Sequence, residues 1–188
     1  MANIRDMLRR TLSKLGEDVE TSDILDWYND CLDEVSDVLF MPTTATITRS
    51  LEGIFVLPAN YNTSLKLYIE DGGEQVYPMA SGVTGIGYVF ENGTVRLVSL
   101  PEQTSLFIVY NRNPIPIVNN PEMIPDIPPK FHRIFEHYAC AIAMLADEEH
   151  ERYAMYNQQY LKVRSQLQVH MSKQRALYFP MGVWEVVR

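Results

Sequence analysis

Apolar residues between positions 128 and 173 recur at spacings of three and four. One series is Phe131, Ile134 with Phe135, Tyr138, Ile142 and Leu145; the next is Tyr153, Tyr156, Tyr160, Val163 and Leu167. Each series marks one face of an α-helix. Residues 147–152, Asp-Glu-Glu-His-Glu-Arg, interrupt the stripe. The pattern predicts an antiparallel helical hairpin turning near Asp147, with Asp147 as N-cap and the following carboxylates at the positive start of the second helix. A single bent helix of about 45 residues is the alternative, a length unusual without caps. The tyrosines at 138, 153, 156, 160 and 178 read either as core or as a seam whose phenol tips reach water or a partner.

Upstream, residues 3–15 predict a short amphipathic helix with Ile4, Leu8, Leu12 and Leu15 on one side, closed by Gly16. Thr21-Ser22-Asp23 is a cap signal for a second helix running to about Phe40. Its apolar stripe is Ile24, Trp27 with Tyr28, Cys31, Val35 and Val38 with Leu39. Asp23, Asp26, Asp30, Asp33 and Asp37 form an acidic stripe at the same spacing. Like charges three or four apart cost about 0.2–0.5 kcal/mol per pair, so this face is either solvated or opposed by cations. Trp27, Tyr138, Ile142 and Leu167 are expected inside one bundle.

Pro42 ends the helical texture. Seven of the nine glycines fall between Gly53 and Gly93, among β-rich runs at 44–49, 53–57, 65–70, 75–79, 87–91, 94–99 and 105–110. Asp71-Gly72-Gly73 and Glu91-Asn92-Gly93 read as hairpin turns. Residues 113–129 hold six of the eleven prolines and predict a stiff, extended return. The expected fold is α+β: a bundle of about four helices (1–42 plus 113–173), an inserted small antiparallel β domain (43–112) and an extended C-terminal arm (174–188).

Composition narrows the function. Hydrophobic residues at 46% and charged residues at 21% suit a globular domain with a real core. A formal charge of −8 argues against duplex binding by phosphate neutralisation and leaves open the passage of nucleic acid past an acidic wall. Cys31 and Cys140 lie in apolar stripes and predict two buried free thiols. The first residues lack an apolar leader and no run suffices to span a bilayer, which predicts a soluble, cytoplasmically made protein. His132 and His137 with Glu136 approximate a zinc motif, but five positions turn a helix by about 500°, so the rings diverge. No glycine-rich phosphate loop or nucleophile elbow is present, so neither an enzyme nor a cofactor is expected.

The order of parts resembles the head-to-tail adaptor, or connector, proteins of tailed bacteriophages. The likeness covers about residues 3–170 and is carried by Ile24-Leu25-Asp26-Trp27-Tyr28-Asn29-Asp30, Phe55-Val56-Leu57-Pro58-Ala59-Asn60-Tyr61, Val109-Tyr110 and Ile127-Pro128-Pro129-Lys130-Phe131-His132. It implies a structural virion protein at the neck. The implied form is a ring, expected dodecameric, that contacts the portal protein and a downstream tail or nozzle protein and passes DNA without sequence-specific binding. The acidic stripe then lines the channel or a subunit interface, where it can face the basic first helix of a neighbour. Leu177, Tyr178, Phe179, Met181, Val183 and Trp184 form a portal-docking arm, the alternative being an arm folded back on its own β domain. Other readings are a monomeric ligand- or protein-binding module, another neck or tail-tube component, and a virion hydrolase.

Overall fold

A computed structural model describes residues 3–16, 19–69, 75–79, 87–91, 93–98 and 103–178. The chain divides into two compact units: Met1–Phe40 with Pro114–Arg188, and Met41–Asn113. The first is helical: α1 (Ile4–Leu15), α2 (Thr21–Val35), a 3-10 turn (Pro129–Phe131), α3 (Arg133–Ala146) and α4 (His150–Tyr178). Among its described residues the second holds seven strands: β1 (Pro42–Thr48), β2 (Phe55–Val56), β3 (Tyr61–Tyr68), β4 (Gln75–Val76), β5 (Gly87–Glu91), β6 (Thr94–Val98) and β7 (Ser105–Arg112).

Within the helical unit, α3 and α4 pack as the expected hairpin, but its turn is built differently. Asp147 closes α3 instead of opening α4. Glu148 takes a left-handed φ of 60°, its N–H meets Leu145 O, and Glu149 N–H reaches back to Met144 O at 2.9 Å. This is a Schellman cap with Glu where Gly usually sits. Glu149 then accepts from Tyr153 N–H and starts α4.

Helix α2 is shorter than its apolar stripe. It ends at Val35, its N-cap is Glu20 without a side-chain bond, and a turn follows before buried Leu39 and Phe40. The side of α1 that is buried is Ile4, Met7 and Thr11; Leu8, Leu12 and Leu15 are only half-buried. Thr11 turns inward because its hydroxyl bonds Tyr28 OH at 2.7 Å. Of the four residues expected inside, Leu167 is fully buried, while Trp27, Tyr138 and Ile142 are half-buried. Tyr28 and Phe135 take the centre, their rings 5.4 Å apart. Leu145 is exposed.

The proline-rich return is stitched to the first two helices. Asn29 accepts from Ile117 N–H at 2.8 Å and donates to Ile117 O at 2.9 Å and Leu25 O at 3.1 Å. At the start of α1, Ile4 and Arg5 N–H groups donate to Met123 O and Pro121 O, and Asn3 caps Asp6 N–H. Helix-start donors that would otherwise need water are thereby met by the return.

In the β unit, all strand pairing between named strands is antiparallel. Strand order is β1-β7-β3-β4 in one sheet and β2-β6-β5 in the other. Inward residues of both sheets, among them Phe55, Leu67, Tyr88, Val95, Leu106 and Ile108, share a core. Pro42, expected to mark only a helix stop, is the first residue of β1 and lies opposite Asn111 of β7. Gly93 has φ 76° in the β5–β6 turn, as the hairpin reading requires. The Asp71-Gly72-Gly73 turn lies outside the described residues.

Candidate assembly surfaces

Glu136, on the inner side of α3, is about 5% exposed along its side chain, with Arg10 Nε 2.7 Å and Lys14 Nζ 3.1 Å away on α1. Lys14 hydrogen-bonds it; Arg10 pairs by charge, off the hydrogen-bonding line. Arg5 pairs with Glu122 at 2.7 Å and Arg9 with Asp6 at 3.7 Å. Each basic residue of α1 thus has an acidic neighbour within the chain, while Arg5 and Arg9 stay exposed and Arg10 keeps a buried Nη2 without a hydrogen-bond partner.

Beside this cluster lies a cleft of about 350 Å³, lined by Arg10, Pro129, Lys130, His132, Arg133, Val163 and Gln166. Arg10 Nη2 is buried without a hydrogen-bond partner. Lys130 approaches His170 Nδ1 at 3.1 Å and lies 4.9 Å from the centre of the Phe131 ring. His132 Nε2 meets Ile127 O at 2.7 Å. His137 nearby has its pKa lowered, first by burial and then by Lys14 and Arg133, against the opposing pull of Glu136.

The aspartates of α2 are all exposed: Asp23, Asp26, Asp30, Asp33 and, in the turn after the helix, Asp37. Asp37 meets Arg164 of α4 at 3.5 Å. Glu34, outside the stripe, accepts from Tyr160 OH at 2.6 Å and Tyr138 OH at 3.2 Å. The tyrosine seam thus spends two phenol tips on a carboxylate of its own chain. Burial first, then the nearby carboxylate, raises both phenol pKa values. Burial raises the Cys140 thiol to about 11, and Cys31 and Cys140 are both buried and unpaired.

At the other end of α4 the expected arm is partly helix. Gln174 through Tyr178 continue α4, since this stretch contains neither Gly nor Pro before Pro180. Residues 172–177 are all exposed, with Leu177 85% exposed. Phe179, Met181, Val183 and Trp184 lie outside the described residues. Among the described residues no cluster of His, Cys, Asp or Glu could hold a metal ion.

A family model described as SU10 adaptor protein matches residues 2–182. The chain belongs to that family. As a phage adaptor it is a structural component of the virion that associates with other head or tail proteins. Among curated proteins no relative matches. No helix among the described residues is long and apolar enough to cross a membrane.

The motifs that carried the family resemblance are clamps within the adaptor. Asn29 holds the return at Ile117. Asn60, after the Leu57-Pro58 turn, accepts from Tyr110 OH at 2.8 Å and from Asn113 N–H. His132 ties the entry of α3 to Ile127. Glu34, Lys130 and Arg133 were not singled out in the sequence as surface or cluster residues, and Glu136 entered only through a metal motif that helix geometry rejects. Their partners or neighbours lie on other helices, as with Glu34 and Tyr160, 126 positions apart; no local spacing encodes such pairs.

Proposed function

We infer that this adaptor sits at the head-tail junction as a ring of copies, expected to be a dodecamer. It joins the portal protein to a downstream tail or nozzle protein and leaves a path for DNA. The observation that carries the reading is membership of the adaptor family over nearly the whole chain. The end of α4 supports it: an exposed helical stalk leads into Phe179, Met181, Val183 and Trp184. The net charge of −8 also suits a conduit, because carboxylates repel the cargo's phosphates. The adaptor carries out no reaction in this role.

The docking segment is residues 179–188. Burial of a large apolar side chain contributes about 1.5–3 kcal/mol, while ordering each residue costs about 1–2 kcal/mol. One arm therefore binds weakly, and many arms on a ring bind well. The test is truncation after Tyr178, which keeps all of α4. The expected product melts at the parent temperature and no longer associates with portal in electron micrographs of the mixture. A fall of several degrees in melting temperature with portal binding intact would assign the segment to the fold and end the docking claim.

A further inference from the structure

We propose that the cleft at the start of α3 is a carboxylate socket, filled by the acidic face of α2 from a second copy of the chain. The proposal rests on the ring reading above. In a chain of net charge −8, this cleft gathers Arg10, Lys130 and Arg133. No carboxylate is among its lining residues, and the nearby Glu136, which pairs with Arg10, is already shared with Lys14. Arg133 has no acidic partner among the described residues, and the neighbours of Lys130 are an imidazole nitrogen and an aromatic ring, neither a negative charge. Arg10 Nη2 is buried and unpartnered. The start of α3 has no side-chain cap, so its positive end adds to the same field. Burial first, and then Lys14 and Arg133 against the opposing pull of Glu136, lowers the pKa of His137 beside the cleft.

The chain also carries the matching charge. Asp23, Asp26, Asp30 and Asp33 are exposed and have no cation partner among the described residues. They stand on a helix that contributes nothing to the cleft's walls. Two complementary patches at different places on one unit make a head-to-tail contact, which closes into a ring when the rotation allows. An Arg fork fits a carboxylate in two parallel bonds. Duplex phosphate is the poorer occupant, because the acidic chain repels it over distances beyond the cleft.

The test uses charge exchange in phage particles. Arg133→Glu with Lys130→Glu forms one variant and Asp26→Lys with Asp30→Lys the other. Each alone is expected to lower particle yield at least tenfold and to reduce adaptor copies per particle, with purified protein melting normally. The four changes together are expected to recover much of the loss. Arg133→Gln, a milder change at an exposed position, is expected to give an intermediate yield and guards against misfolding of the reversed variant. Single variants with normal yield overturn the socket, as does a combined variant no better than the worse parent. Heads that lose DNA with adaptor copies unchanged assign the cleft to phosphate and overturn it too. Micrographs of unmodified particles separate the layers of the argument: absence of a ring removes the ring reading itself, whereas a ring that persists in the socket variants removes only the socket.

Discussion

Tyr28 and Phe135 fill the centre of the helical unit, both fully buried with rings in tilted contact. Phe135→Ala is expected to cost about 3–5 kcal/mol, as truncation of a buried aromatic does. Ile142→Ala, at a half-buried position, should cost about 1–2 kcal/mol by the smaller area it loses; denaturant titration of both variants checks the ranking. Glu148 pays for the α3–α4 turn with a left-handed backbone, a conformation about 1–2 kcal/mol unfavourable for residues other than Gly. Glu148→Gly is therefore expected to raise stability by about 0.5–1 kcal/mol, or about 2–4 °C per kcal/mol in a chain of this size. A lower melting temperature would show that its side chain holds something the turn needs. Burial raises the pKa values of Tyr28, Tyr138 and Tyr160 above the ordinary 10. The folded state then keeps protons that the unfolded chain releases. Their contribution is fully present below about pH 10 and declines as pH rises beyond it. A melting curve series from pH 8 to about 11 should show that decline, and Tyr160→Phe should make it shallower.

At the scale of elements, Asn29 couples α2 to a return segment 88 positions away, through both polar groups of its amide. Asn29→Ala leaves the Ile117 N–H and C=O to find water in a part-buried site, at a cost of about 1–3 kcal/mol. Hydrogen exchange at Ile117 should accelerate in step with the loss of stability; unchanged exchange would dissociate the two. The reach of sequence reasoning is also clearest here. The β-rich runs were legible because strand composition and turn residues are local signals, and the seven strands among the described residues were anticipated within a few residues. The α3–α4 hairpin was legible for the same reason. Its turn was misread because the cap lacks the usual Gly, leaving an acidic run that mimics a helix start. Trp27 and Tyr138 were over-assigned to the core because a helical stripe is broader than the strip that finally packs. Tyr28, one residue from Trp27, won the centre through its bond to Thr11. The cleft of Arg10, Lys130 and Arg133 had no sequence signal, since three separate stretches of chain build it.

At the scale of the molecule, β1 and β7 bring the two ends of the β unit together, with Pro42 opposite Asn111. Replacing residues 44–111 by a short flexible linker is expected to leave a soluble helical product, measured by circular dichroism. Loss of helical signal would show that the helices depend on the strands. Substitution of Asp26, Asp30, Asp33 and Asp37 by Asn should leave the fold intact and change ring formation or DNA retention. Normal phage yield from that variant would return the face to a solvated role.

The stitching of α1 to Pro121 and Met123 has a consequence in time. A ribosome adds about 5–20 residues per second, so α1 and α2 emerge several seconds before the segments that cover them. The intervening strands arrive first, and the described residues of their core, from Ala45 to Tyr110, lie within one continuous stretch of chain. Folding thus departs from the order of synthesis: the middle settles while the beginning waits, its apolar side open to chaperones or to other nascent copies. Slowing translation after codon 113 should lengthen that wait and lower the soluble yield, while slowing it before codon 41 should not.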